Sequence, residues 1–154
     1  MDRGRLVFWA SFAWGVTLGG LSGHAVASPG DIGTVEKISG DAAIVRHGEK
    51  PVPVSAALGV RMSDEVETGR GEVSISFEDD TRVEVSEHSI LVIDEFVYDP
   101  ATTSGALALK ATLGTLRYVS GKIAKHSPED VVIRTPTASV AVRGTEFTAT
   151  VDEI

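Results

Sequence analysis

The sequence predicts an all-β fold, with short strands in a compact sandwich or solenoid-like stack preceded by a signal peptide. Three observations carry this reading. Apolar and polar residues alternate with a period of two from Glu72 to Val85 and again from Val131 to Val151. Gly, Pro and Asp interrupt the chain about every ten residues, which leaves runs of roughly four to seven residues between breaks. No stretch carries a 3.6-residue period long enough to bury one face of a helix.

Residues 1–27 have the organisation of an export signal. Arg3 and Arg5 make a short positive start, and the 16 residues from Leu6 to Leu21 carry no charge. Ala25-Val26-Ala27 is the small-x-small pattern that a signal peptidase reads, so Ser28 is expected to begin the mature chain. The apolar run is shorter than the about 20 residues of a spanning helix, so cleavage is favoured over an N-terminal anchor, with no stable span left afterwards. Losing Asp2, Arg3 and Arg5 takes the net charge from −8 to −9. Such a surface repels phosphate backbones and anionic headgroups, which argues against nucleic-acid and peripheral membrane binding. The absence of cysteine rules out disulfides, a thiol nucleophile and a thiolate metal site.

Beyond Ser28 the alternation sets in at Thr34. Two short strands joined at Ser39-Gly40-Asp41 are expected, then a polar loop at His47 to Pro51 and an edge segment Val52-Pro53-Val54. Residues 55–60 have the length of a single helical turn. After the loop Gly69 to Gly71, Val73, Ile75 and Phe77 point to one face, while Glu72, Ser74, Ser76 and Glu78 point to the other. With Thr81 to Val85 this predicts an antiparallel hairpin having one buried and one solvated face, its turn at Glu78-Asp79-Asp80. Ser86 to Ser89 is another turn, Ile90 to Val97 a further strand, and Tyr98 to Ser104 a polar connection. Leu107, Leu109, Leu113, Leu116 and Tyr118 continue the sheet, and Lys125 to Asp130 turns into the last strands. There Val131 and Ile133 share a face, Thr135-Pro136 breaks the run, Val140 and Val142 share a face, and Phe147, Ala149 and Val151 follow Gly144.

Two stretches resemble the FecR domain family. Thr135, Pro136, Ala138, Val142, Arg143, Gly144, Thr145 and Phe147 match its T-P-x-A-x-x-x-V-R-G-T-x-F pattern. Asp64, Val66, Thr68, Gly69, Gly71, Val73, Ile75, Phe77, Asp79, Thr81, Val83 and Val85 match the earlier G-D-x-v-x-T-G-x-x-G-x-a-x-i-x-F-x-D-G-T-x-v-x-l pattern. Ser63 and Asp80 stand where the family has Gly. The resemblance runs from about Gly59 to Phe147 and divides the chain into a lead-in at 28–58 and a FecR-like domain at 59–154. FecR domains commonly continue with another strand pair, so the domain is expected to lack its last strands and to expose an edge near Phe147 to Val151.

The chemistry-bearing residues point away from catalysis. Glu78-Asp79-Asp80 lacks the spacing of a calcium loop and reads as a solvated turn. His47, His88 and His126 lie in separate loops without metal-ligand spacing. Ser89 and Ser127 adjoin histidines, yet neither sits in a nucleophile elbow. No catalytic residue, metal or cofactor is expected. Arg143 is read as bridging to Glu146 across the corner, and Thr68 and Thr135 as satisfying corner backbone groups.

The resemblance implies a non-enzymatic signalling or binding module of the bacterial envelope, periplasmic or secreted, engaging a protein partner. In regulators of the family a cytoplasmic segment controls a sigma factor and the periplasmic part contacts an outer-membrane transporter. Here the apolar run begins at Leu6, so direct sigma-factor control is not expected. The rival readings are a secreted carbohydrate-processing or hydrolytic domain, which needs a cleft of convergent carboxylates, and a structural envelope component.

Overall fold

The alternating segments become strands wherever a Gly or a short polar pair lets the chain reverse. The computed structural model describes residues 28–153. The expected signal peptide lies outside the described residues. The strands are β1 (Asp31–Ser39), β2 (Ala42–Val45), β3 (Val52–Pro53), β4 (Gly59–Arg61), β5 (Glu65–Thr68) and β6 (Glu72–Phe77). They continue as β7 (Arg82–Val85), β8 (Ile90–Asp99), β9 (Ser104–Val119), β10 (Val131–Arg134), β11 (Ser139–Ala141) and β12 (Glu146–Val151). Between β9 and β10 lie a short helix α1 (Lys122–His126) and a single 3-10 turn at Pro128–Asp130.

These strands form one 12-stranded sheet that folds over on itself. One layer runs β4-β1-β6-β7-β9-β12, and the other runs β3-β2-β5-β8-β9-β10-β11. All pairings are antiparallel except β9 with β10. Strand β9 belongs to both layers. Its first part pairs with β8 and β10 and its last part with β7 and β12, the changeover falling near Gly114, where φ is +85°. The inner faces share one apolar core, in which Phe77 of β6 stacks on Phe96 of β8 with ring centroids 5.4 Å apart.

The all-β prediction holds, and the strands fall where the alternation placed them, with several corrections. Strands β8 and β9 are 10 and 16 residues long, beyond the short runs expected, because Gly114 bends β9 without ending its pairing. Residues 55–60 make no helical turn. Ala57 takes a left-handed conformation (φ 67°), and the chain then pairs with β1 as β4. The outer face of the β6–β7 hairpin is only partly solvated, since Ser74 is buried. Its cross-strand neighbours Lys37 and Glu84 are long enough to lie over so short a side chain. In the last segment Val142 is buried whereas Val140 is 48% exposed, because β11 ends at Ala141 and the alternation ends with it.

Ser63 and Asp80, which replace family glycines, both sit in the left-handed region, at φ 68° and 66°. That is the conformation that glycine adopts without steric cost. Ser63→Gly is therefore expected to stabilise the protein by about 0.5–1 kcal/mol, seen as a higher urea midpoint with an unchanged slope. Asp80→Gly should gain less, because the Asp80 carboxylate lies 2.8 Å from the Lys122 ammonium and that pair would be lost. An unchanged midpoint for Ser63→Gly would show that the serine carries no strain.

Candidate functional site

The residues that stand out in the sequence gather at corners where the sheet reverses. Asp79 is fully buried beneath the β6–β7 turn. Its Oδ1 accepts the Thr81 N–H at 3.1 Å, and its Oδ2 accepts the Thr81 hydroxyl at 2.7 Å and the Ile123 N–H at 3.2 Å. Its carbonyl accepts the Lys122 N–H at 2.7 Å, and Thr81 Oγ1 accepts the Gly121 N–H at 3.2 Å. Asp79 and Thr81 thus satisfy the first amides of α1, groups that no residue within the helix can reach. Gly121 permits this approach, since a Cβ there would run into the Thr81 amide nitrogen and the Asp79 carbonyl oxygen. The expectation that Glu78-Asp79-Asp80 is wholly solvated is corrected for Asp79. The turn faces water only through Glu78 and Asp80.

Asp64 makes the second buried constellation. Its carboxylate takes a forked contact from Arg46, with Nε at 2.9 Å and Nη2 at 3.1 Å, and accepts the Arg61 N–H at 2.9 Å. Arg46 Nη2 also donates to the Gly59 carbonyl at 3.1 Å, and Arg61 reaches Asp31 at 2.9 Å. The forked geometry suits a planar guanidinium and joins β2, β4 and the start of β5 at one corner. Arg46, Arg61 and Asp31 have no sequence signal of their own, since their partners lie 18 and 30 residues away.

Thr68 holds the next corner. Its hydroxyl donates to the Ser86 carbonyl and accepts the Ser89 N–H at 2.9 Å, while the Gly69 N–H donates to the Asp41 carbonyl at 2.8 Å. Gly71 lies against Ser39, Gly40 and Asp41 so closely that a Cβ would strike the Ser39 carbonyl oxygen. In the C-terminal motif Thr135 Oγ1 accepts the Ala138 N–H at 3.0 Å and thereby closes the turn around the exposed Pro136. The Val142 N–H donates to the Val131 carbonyl at 3.0 Å. Gly144 takes φ +121°, and its carbonyl accepts the Ser120 hydroxyl at 2.6 Å, beside the Ser120 N–H donating to Thr145 at 2.8 Å. Phe147 stacks on the buried Tyr118 at 5.2 Å.

The expected Arg143–Glu146 bridge is not made. Glu146 pairs instead with Arg117 of β9 at 2.7 Å, and Arg117 also holds Glu84 of β7 at 2.9 Å. Cross-strand register puts Arg117 opposite Glu84 and diagonally across from Glu146, which faces Val119, whereas the bend at Gly144 separates Arg143 from its sequence neighbour. Arg143 is exposed. His47 and His88 are exposed in separate turns, whereas His126, expected in a loop, is the exposed last residue of α1, and among the described residues no three His, Asp or Glu side chains converge as metal ligands.

A groove of about 890 Å³ opens where the ends of β5, β8 and β12 meet the bend of β9 at Gly114, with Glu67, Glu87, His88, Ile90 and Asp152 contributing to its walls. The family model described as FecR protein matches residues 64–153, which begin at the Asp64 corner and take in the Asp79, Thr68 and Gly144 corners. The chain belongs to the FecR family. No curated protein and no solved structure matches it. Within this FecR chain, β1 to β4 precede the matched residues, yet β1 lies between β4 and β6 and supplies Val35 to the shared core.

Acidic groups on the outer face of the second layer give a pH dependence. Burial, followed by a hydrogen bond shared with the Glu67 carboxyl, pushes the Glu65 carboxyl above the ordinary glutamate range. A carboxyl whose folded-state pKa lies above its unfolded value binds its proton more tightly when folded. Its contribution is therefore present at low pH and lost as pH rises through that window. Glu65→Gln is expected to raise the melting temperature relative to wild type at about pH 7 and to lose that advantage near about pH 4. An equal effect at both values would show that Glu65 does not titrate this way.

Proposed function

We propose that this FecR chain is an exported, non-enzymatic module of the bacterial envelope that engages a protein partner in a signalling role. Family membership supports the signalling class. The observation that carries the non-enzymatic part is the use made of the polar signature residues. Asp64, Thr68, Asp79 and Thr81 are buried, and each spends its side-chain donors and acceptors on backbone groups, on Arg46 or, for Asp79 and Thr81, on each other. A carboxylate held in this way is turned into the protein and away from a substrate. What the corners leave outside is Arg143, Val140 and the groove rim, which are groups suited to contact. Among the described residues no helix is long and apolar enough to cross a membrane.

Two measurements test this reading. The intact mass of protein recovered from the periplasm or medium is expected to begin at Ser28. A species keeping Met1 in the inner membrane would instead support an N-terminal anchor. Affinity capture from envelope extract should then retain one saturable protein partner. Turnover of a glycan or ester substrate, abolished by a single carboxylate substitution, would replace the proposal with the hydrolytic reading.

A further inference from the structure

The two outer faces of the folded sheet differ in chemistry. On the first layer the outward side chains are mostly polar and already joined, Arg82 to Glu36 and Arg117 to Glu84 and Glu146. On the second layer one row crosses the strands as Val45, Glu65, Val92, Lys110 and Arg134, each the direct partner of the next. The row beside it runs Glu95, Ala108, Val132 and Ala141, and Val97 beyond that is 57% exposed. Aliphatic side chains therefore make most of this face, and among the described residues neither Glu65 nor Lys110 enters a salt bridge. Strands β5, β8 and β9, which carry the centre of the first row, are each paired on both sides there. The surface is thus a sheet face and owes nothing to a free edge.

We propose that this face packs on the same face of a second copy, about a two-fold axis running along β8. The order of charges across the row selects both the occupant and the axis. Rotation about β8 lays β5 of one copy over β9 of the other, so each Glu65 meets the other copy's Lys110 and Val92 meets Val92. An axis across the strands would instead set Glu65 on Glu65 and Lys110 on Lys110. Packed sheets lie about 10 Å apart, a gap that a glutamate and a lysine side chain bridge together. Both residues stand one strand from the axis, about 4.8 Å, so the usual inclination of about 30° between packed sheets displaces them little. Within one chain, burial and the Glu67 carboxyl both disfavour the charged form of Glu65, and Lys110 opposes them from across Val92. The ammonium of the facing copy adds countercharge at the same carboxylate. The proposal stands independently of any partner in the envelope.

Strands about 4.8 Å apart and residues about 3.4 Å apart make this face roughly 400 Å² a copy, at the low end of specific interfaces, so a weak dimer is expected. Sedimentation equilibrium of the purified protein, its N-terminus fixed by mass, should show a reversible monomer–dimer equilibrium. Glu65→Lys alone and Lys110→Glu alone should each weaken the dimer by about tenfold or more, since each turns two attractions into two repulsions. A mixture of the two variants should restore the dimer, because both cross-contacts then join opposite charges. One cooperative melting transition shows that each variant is folded. The chain has no cysteine, so Val92→Cys and Val119→Cys place single thiols on the two outer faces. A short bismaleimide should join Val92→Cys chains within the dimer and leave Val119→Cys chains largely unjoined, a readout that needs no charge variant. A wild type that stays monomeric to about 1 mM overturns the proposal. Single variants that dimerise as tightly as wild type, a mixture that fails to restore the dimer, or equal cross-linking at the two positions overturn it as well.

Discussion

Phe77→Ala is expected to lower the free energy of unfolding by about 3–5 kcal/mol, the range for removing a fully buried aromatic side chain. Phe77 is 3% exposed and stacks on Phe96 of the opposite layer, so its loss opens a cavity between the two layers rather than at a rim. The backbone on either side is held in ladders to β1 and β7, which limits how far the site can collapse around the void. Urea unfolding checks this. A change below about 1 kcal/mol would mean that the layers are not joined at this contact.

Asp79→Ala should cost a comparable about 3–5 kcal/mol through different physics. The substitution leaves the Thr81 hydroxyl and the amides of Thr81 and Ile123 without their acceptor in a site closed to water. Asp79→Asn keeps the shape but turns one acceptor into a donor that faces donors, so it should recover only part of the loss. Amide exchange at Ile123 should accelerate in both variants by more than exchange in β6, because α1 hangs on this carboxylate. A variant in which Ile123 keeps its protection would show that α1 is capped by something else.

The strands were legible to the extent that alternation was continuous. Val73, Ile75 and Phe77 are buried as their period of two requires, and so are Val131 and Ile133. The failures share one cause. Val140 and Val142 occupy the same parity, yet the strand ends between them, and parity has no meaning across a corner. Glu78, Asp79 and Asp80 look alike as three consecutive acids. Only the return of the chain at Gly121, more than 40 residues on, makes the middle one a buried cap. Arg143 and Glu146 are near neighbours in sequence, and Glu146 nevertheless goes to Arg117, its diagonal neighbour on the same face in the β9–β12 register.

By itself the sequence determined the all-β class and most of the strand positions, and it drew attention to the FecR motifs. These depend on local rules: side chains alternate along a strand, and left-handed or tightly approached backbone calls for particular residues. The Gly144 corner could be located for that reason, and Ser63 and Asp80 could be noticed as exceptions. Only the tertiary structure decided which layer each strand joins, that β9 serves both, and which charges meet. A period of two assigns a residue to a face without saying what covers that face. Ion pairs such as Arg46 with Asp64 form between segments that only the folding of the whole sheet brings together.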